Sequence, residues 1–370
     1  MAGTSSAENG DCSTDSPVPA RPECSADRGA PNGSGNRSVR PSGTGERALH
    51  SRTPSVPPSG NGDSLPWTTI PSAEAIPGNH AFVLCLTHDV DRPYKTFQAP
   101  YYAITDRDPT HLRSLVPGVN PYWSFERIRR LESDLEVRSS FNFMDEQWLF
   151  TDRPVAEWID PNRWALFTGR YAIDDPRIVR EIRSLDANGW EVGLHGSYLS
   201  YDDRERLGRE KARLEAILGR PVRGGRQHHL NLSVPETWTN QAAVGLGYDS
   251  TLGSSCSWGF DHGYELIRPF DDAFVEFPLT LMDVALERNH ERARERWRTC
   301  ERLLEEAATN GAVMTVLFHP RFLGEDHPEY VTLYRRLIER ALDLGAWVGP
   351  PGELYARLDH PVEPPLERRS

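Results

Sequence analysis

Lysine is nearly missing from this chain. Of 42 basic residues only Lys95 and Lys211 are lysine, and 54 acidic residues leave a net charge of −12. That balance argues against nucleic acid as a partner, because a phosphate backbone needs a basic footprint. A chain poor in lysine and rich in acid fits both a high-salt interior and an arginine-favouring genome, and the sequence does not separate them. Cysteine is sparse too. Five residues (Cys12, Cys24, Cys85, Cys256 and Cys300), an odd number, widely spaced and without a Cys-x-x-Cys pair, give neither a disulfide framework nor a cysteine zinc site. No apolar run approaches the roughly 18 residues of a membrane span. The first residues, MAGTSSAENGDCSTDS, have no basic start and no apolar core, so no signal peptide is expected. Together these absences predict a soluble, cytoplasmic protein.

Residues 1–65 are Ser, Gly, Pro, Asn and Arg, almost without Leu, Ile or Phe. Such a segment buries too little apolar surface to offset its ordering entropy, so a disordered tail is expected. A charged, proline-rich end is expected to be disordered over 359–370. Between them, residues 66–358 contain no linker-like interruption, and one large domain is expected there.

Inside that domain short apolar runs alternate with helical patterns. The strand candidates are 82–88 (FVLCLTH), 139–144, 190–195, 221–227, 248–252, 273–279, 312–319 and 346–349. Several are continuously apolar, as strands covered on both faces are. Helices are predicted over 124–136, 176–188, 202–218, 235–246, 285–309 and 327–344, two of them stopping at Gly189 and Gly345, where a helix end favours glycine. The helix over 285–309 reads as an outer helix with a solvated Glu/Arg face. Strand and helix alternating some seven or eight times over this length predict an α/β fold, a distorted (β/α) barrel of about seven parallel strands.

The strands end in chemistry. The runs close on THDVD, LHGSY, RQHH, YDST and LFHPR, and in a barrel such ends converge on one mouth, where active sites sit. Side chains alternate along a strand, so Asp89 and Asp91 share a face and His88 and Val90 take the other. Two carboxylates roughly 7 Å apart or less repel unless a proton or cation intervenes. A divalent metal answers that repulsion, with His195, His228 or His229, and His319 available to complete its shell. His228 and His229 are adjacent, so only one of them faces the mouth in an extended chain. Gly193 and Gly196 flank His195 and leave room beside it for a ligand or metal. Arg226 is placed to fork onto a carboxylate such as Asp89, and His319 to act as a general acid.

These motifs resemble the NodB-type polysaccharide deacetylases, carbohydrate esterase family four, in a divergent branch with THDVD, LHGSY and RQH signatures. LTHDVD is similar to that family's first motif, EVGLHGSYLS to its second, GGRQHH to its third, YDST to its fourth and VLFHP to its fifth, in the same order over about 82–350. The resemblance implies Asp89 as catalytic base, Arg226 as its brace and His319 as acid. It also implies Asp91 and His195, with His228 or His229, as ligands of a divalent metal, Zn²⁺ being the expected ion. It departs from the family at Val90, which separates two acids that are normally adjacent, and at Leu199, which stands where a second metal-binding His is usual. The implied activity is metal-dependent removal of N-acetyl or O-acetyl groups from a carbohydrate, acting on a carbon–nitrogen bond. Two alternatives stand beside it: a non-catalytic carbohydrate-binding pseudo-deacetylase, and a glycosidase or amidase on the same barrel.

Overall fold

The computed structural model describes residues 67–358, apart from 96–97, 106, 161–162, 164–166, 168–169 and 271–272. All of the described residues belong to one compact unit, Ser38–Ser370; residues 1–37 are assigned to another. The latter lie outside the described residues, as do both expected tails, 1–65 and 359–370.

Among the described residues there are eleven strands: β1 Thr68–Ile70, β2 Phe82–Val90, β3 Ser140–Met144, β4 Glu191–Gly196, β5 Gly224–Gln227, β6 Tyr248–Asp249, β7 Leu266–Arg268, β8 Val275–Glu276, β9 Leu279–Met282, β10 Val313–Leu317 and β11 Ala346–Gly349. β2 is the axis of the sheet. All nine of its residues are buried, which is what a parallel strand covered on both faces requires. β10, β2, β3, β4, β5, β6 and β8 pair in parallel, each with the next.

The sheet curls into a ring through one continuous stretch of chain. β8 lies against β6, and three residues further on β9 lies parallel to β10. Residues 275–282 thus occupy a single position that joins both ends of the sheet. Counted this way, seven parallel positions surround the interior, as expected from the sequence. β11 pairs with Phe82–Cys85 at the start of β2, whereas β3 pairs with Thr87–Val90 at its end. That shared edge is what distorts the barrel.

Local chemistry fixes the helices that cover it. The helix Pro176–Ala187 starts with Asp175 accepting the Arg177 N–H and Pro176 in its first turn, both favourable at a helix start. It buries Ile178, Ile182 and Leu185, spaced three and four apart on one face. Gly189, at φ +86°, then turns the chain back to β4. The helix expected over 285–309 is instead two, Asp283–Asn289 and Ala293–Asn310. No Gly or Pro marks the break. Asn289 Nδ2 donates both to its own helix at Ala285 O and to Cys256 O, each at 2.8 Å, a side-chain competition with helix geometry that periodicity does not reveal. β1 and β7 also went unpredicted. They form a short antiparallel pair on the barrel's flank, with Trp67 edge-on to Trp238 at 5.8 Å, and three residues are too few to carry a period.

Among the described residues no helix is long and apolar enough to cross a membrane.

Candidate active site

Because the strands are parallel, their carboxyl ends meet at one mouth. Thr87 and Asp89 point into the barrel, where both touch Arg226. His88, one step out of phase, points the other way into a buried cluster with Glu132 and Tyr334. The alternation read from the sequence therefore holds, and it divides THDVD between a core network and the site.

Asp89 is braced on one oxygen only. Its Oδ1 accepts Arg226 Nη1 at 3.1 Å and Asn142 Nδ2 at 2.8 Å, whereas Oδ2 faces His195 Nδ1 at 3.8 Å. Burial pushes this carboxyl up, but the Arg226 guanidinium, with His195 and His319, outweighs burial and holds it below the usual carboxylate range. Asn142 owes its place to a glycine. A Cβ on Gly193 would collide with Asn142 Oδ1, and one on Gly196 with the Gln227 amide. The space expected beside His195 is thus filled by protein amides rather than left for a ligand.

Asp91 is the focus of the histidines. Its Oδ1 lies 3.0 Å from His195 Nε2 and 3.9 Å from His228 Nε2, and its Oδ2 lies 3.5 Å from His319 Nε2. Burial opposes ionisation here too, yet the His195 contact and the nearby His228 and His319 hold the carboxyl well below its ordinary value. His195 donates Nδ1–H to the Arg226 carbonyl at 2.9 Å, so in the neutral ring Nε2 carries the lone pair. His228 has its pKa lowered well below the ordinary value, by burial first and then by Arg170 and His229, which favours the neutral, ligating ring.

The donor set fits a divalent metal. Asp91, His195 and His228 are all buried, and one ligand atom from each lies within 4.8 Å of the others. Asp91 Oδ1 is buried without a hydrogen-bond partner. Lone pairs facing one another at 3.0 Å call for a proton or cation between them. Bonds of about 2.0–2.1 Å in tetrahedral array put ligand atoms roughly 3.3 Å apart, inside the observed 3.0–3.9 Å. One carboxylate and two imidazoles in this arrangement suit Zn²⁺ and other borderline divalent ions.

His229 stands outside this group. Its ring tilts against His228 at 4.4 Å and meets Tyr198 edge-on at 5.5 Å. His229 and Leu230 both have positive φ, +59° and +53°, at a cost of order 1–2 kcal/mol each. This tight turn sends the two neighbouring imidazoles in different directions. Leu199, at the position of the usual second His, packs against Leu149 and Phe167; the third buried donor beside Asp91 and His195 is His228, in the turn after β5.

His319 completes the mouth. Its Nδ1 lies 2.8 Å from Asp283 Oδ1, and its backbone N–H donates to Asp283 Oδ2. Burial works against the imidazolium, but Asp283 outweighs it and raises the His319 pKa.

Asp283 and Glu146 lie in none of the sequence motifs, although both follow strands. Asp283 comes directly after β9, and Glu146 two residues after β3. Extending the strand candidate 273–279 to Met282 would have exposed Asp283. Asp249, by contrast, turns away from the mouth: it accepts Thr251 Oγ1 at 2.7 Å and lies across from Glu276.

No protein-family model matches the sequence, and no curated protein matches it. Solved structures do align with it. A protein from Mycobacterium smegmatis assigned as a polysaccharide deacetylase aligns with 76% of this chain and 91% of its own, at 18% identity and a TM-score of 0.49. A family 4 carbohydrate esterase from Streptomyces lividans, in complex with acetate, covers 73% and 92% at 11% identity and 0.38. A pseudoenzyme of the same family from Bacillus anthracis covers 75% and 66% at 14% identity and 0.39.

Proposed function

We propose that this chain is a metal-dependent hydrolase that removes N-acetyl or O-acetyl groups from a carbohydrate, in the manner of the NodB-type deacetylases, with Zn²⁺ at Asp91, His195 and His228. The observation that carries this reading is the meeting, at one mouth, of three converging lone-pair donors with an ionised carboxylate and an Asp-paired imidazole. Binding a sugar needs no such acid–base pair.

A divalent ion held there supplies Lewis acidity toward the acyl carbonyl and acidifies a water. The protein's own groups handle the protons. Asp89 is ionised, and with Oδ1 taken by Arg226 and Asn142 its Oδ2 accepts the proton of the attacking water. His319 has Nδ1 committed to Asp283, so Nε2 is the end that protonates the departing sugar amine. Asp283 holds the ring in that tautomer and stabilises its charge. The products are acetate and a free amino sugar.

The substrate we propose is an N-acetylated sugar, either a polymer or a lipid- or nucleotide-linked precursor, the latter suited to the cytoplasmic location expected from the sequence. A second reading, a carbohydrate-binding pseudo-deacetylase, draws on Leu199. The test is incubation of zinc-loaded protein with N-acetylated oligosaccharides. Acetate release that depends on Asp89 supports the hydrolase, reducing ends without acetate point to a glycosidase, and saturable sugar binding without either product supports the pseudoenzyme.

A further inference from the structure

We infer that Glu146 is a positioning residue that makes His228 a metal ligand, by holding the imidazole in the tautomer whose lone pair faces Asp91; this rests on the reading of Asp91, His195 and His228 as a metal site. His228 has two ring nitrogens with different surroundings. Nε2 faces Asp91 Oδ1 at 3.9 Å, and Nδ1 faces Glu146 Oε2 at 3.4 Å. Nδ1 is buried and has no hydrogen-bond partner. If the ring proton sat on Nε2 it would point at Asp91, and the ligand lone pair would be lost. A carboxylate on the Nδ1 side selects the opposite tautomer, as outer carboxylates do for metal-bound histidines generally.

Glu146 is built for that task. Its Oε1 accepts the Gln147 N–H at 3.0 Å and its Oε2 the Tyr198 N–H at 2.9 Å. Two backbone amides therefore clamp the carboxylate, and its side chain is 1% exposed. The clamp also ties the end of β3 to the segment after β4, so Glu146 and His195 keep one frame. The His228 ring has little freedom to compensate, being packed edge-on to His195 at 5.2 Å and tilted onto His229 at 4.4 Å. His195 needs no such partner from a side chain, because the Arg226 carbonyl already fixes its Nδ1. With Leu199 unable to ligate, the third donor depends on His228, and His228 depends on Glu146.

The experiment uses full-length wild type, E146A, E146Q and H195A, stripped of metal. Two quantities are read: Zn²⁺ affinity by competition with a chromophoric chelator, and the His228 tautomer by long-range ¹H–¹⁵N correlation in the metal-free protein. The inference expects E146A and E146Q to bind Zn²⁺ about 10–100-fold more weakly than wild type. It also expects the His228 signals to move from the Nδ1–H form toward the Nε2–H form, with metal-free melting temperature in E146Q close to wild type. Zn²⁺ affinity within twofold of wild type in both Glu146 variants, or a wild-type His228 already in the Nε2–H form, overturns it. If wild type takes up no Zn²⁺, or H195A binds as well as wild type, the metal reading itself fails, while the tautomer measurement still decides what Glu146 does.

Discussion

Asp283 grips His319 at two points: Oδ1 lies 2.8 Å from the ring Nδ1, and Oδ2 accepts the same residue's backbone N–H at 2.5 Å. One carboxylate thereby fixes both the rotamer and the tautomer of the proposed acid. Removing its charge in D283N takes away the main influence raising the His319 pKa. An acid with a raised pKa stays protonated to higher pH, so its loss moves the alkaline limb of kcat/KM to lower pH. We expect a fall of about 10²–10⁴ in kcat, with Zn²⁺ content retained. A D283N profile that overlays wild type would remove Asp283 from the mechanism.

Asp89 and Asp91 share a face, and the proposed mechanism gives them different tasks. D89N is expected to abolish acetate release while leaving Zn²⁺ content near wild type, because Asp89 is bonded to Arg226 and Asn142 and does not belong to the three-ligand group. D91N is expected to lose the metal. Elemental analysis of both variants beside H195A checks this, and metal loss in D89N would mean the two roles are exchanged.

His228 and His229 offer the sharpest contrast between neighbours. H228A is expected to lose Zn²⁺, and H229A to keep it, since only His228 points a nitrogen at Asp91. Isothermal titration of the two metal-free variants decides it; equal losses would show that the turn, rather than the ligand, was damaged.

Glu210, which accepts from Ser197 behind the mouth, provides a pH test of stability. Burial pushes its carboxyl up to about 7, with Glu146 adding to the rise and hydrogen bonds from Ser197 opposing it. A carboxyl whose folded pKa is raised binds more protons in the folded state, so its contribution is fully present below the unfolded value of about 4.5 and is lost as pH climbs to about 7. The loss amounts to roughly 3 kcal/mol over that window. Urea unfolding at several pH values should show that slope in wild type, and E210Q should flatten it.

Much of this was legible one strand at a time. Continuous apolar runs such as FVLCL identify strands covered on both faces, and the charge that follows each run marks the carboxyl end, so Asp89, Asp91, His195, Arg226 and His319 could all be named from order alone. Asp283 and Glu146 also follow strand ends, β9 and β3, but neither lies in a recognisable motif, and the strand candidate 273–279 stops short of Met282. The break between Asn289 and Ala293 was hidden for another reason: it depends on a side chain reaching Cys256 O, more than thirty residues away.

The local code therefore settled where the main parallel strands run and which of their side chains share a face, since alternation along an extended chain needs no distant partner. The partnerships were decided elsewhere. Whether His228 or His229 meets Asp91 hangs on two left-handed residues in one turn, and whether a glycine beside His195 admits a ligand or an asparagine hangs on the neighbouring strand's register. Both depend on contacts between segments far apart in the chain, which exist only once the barrel has closed.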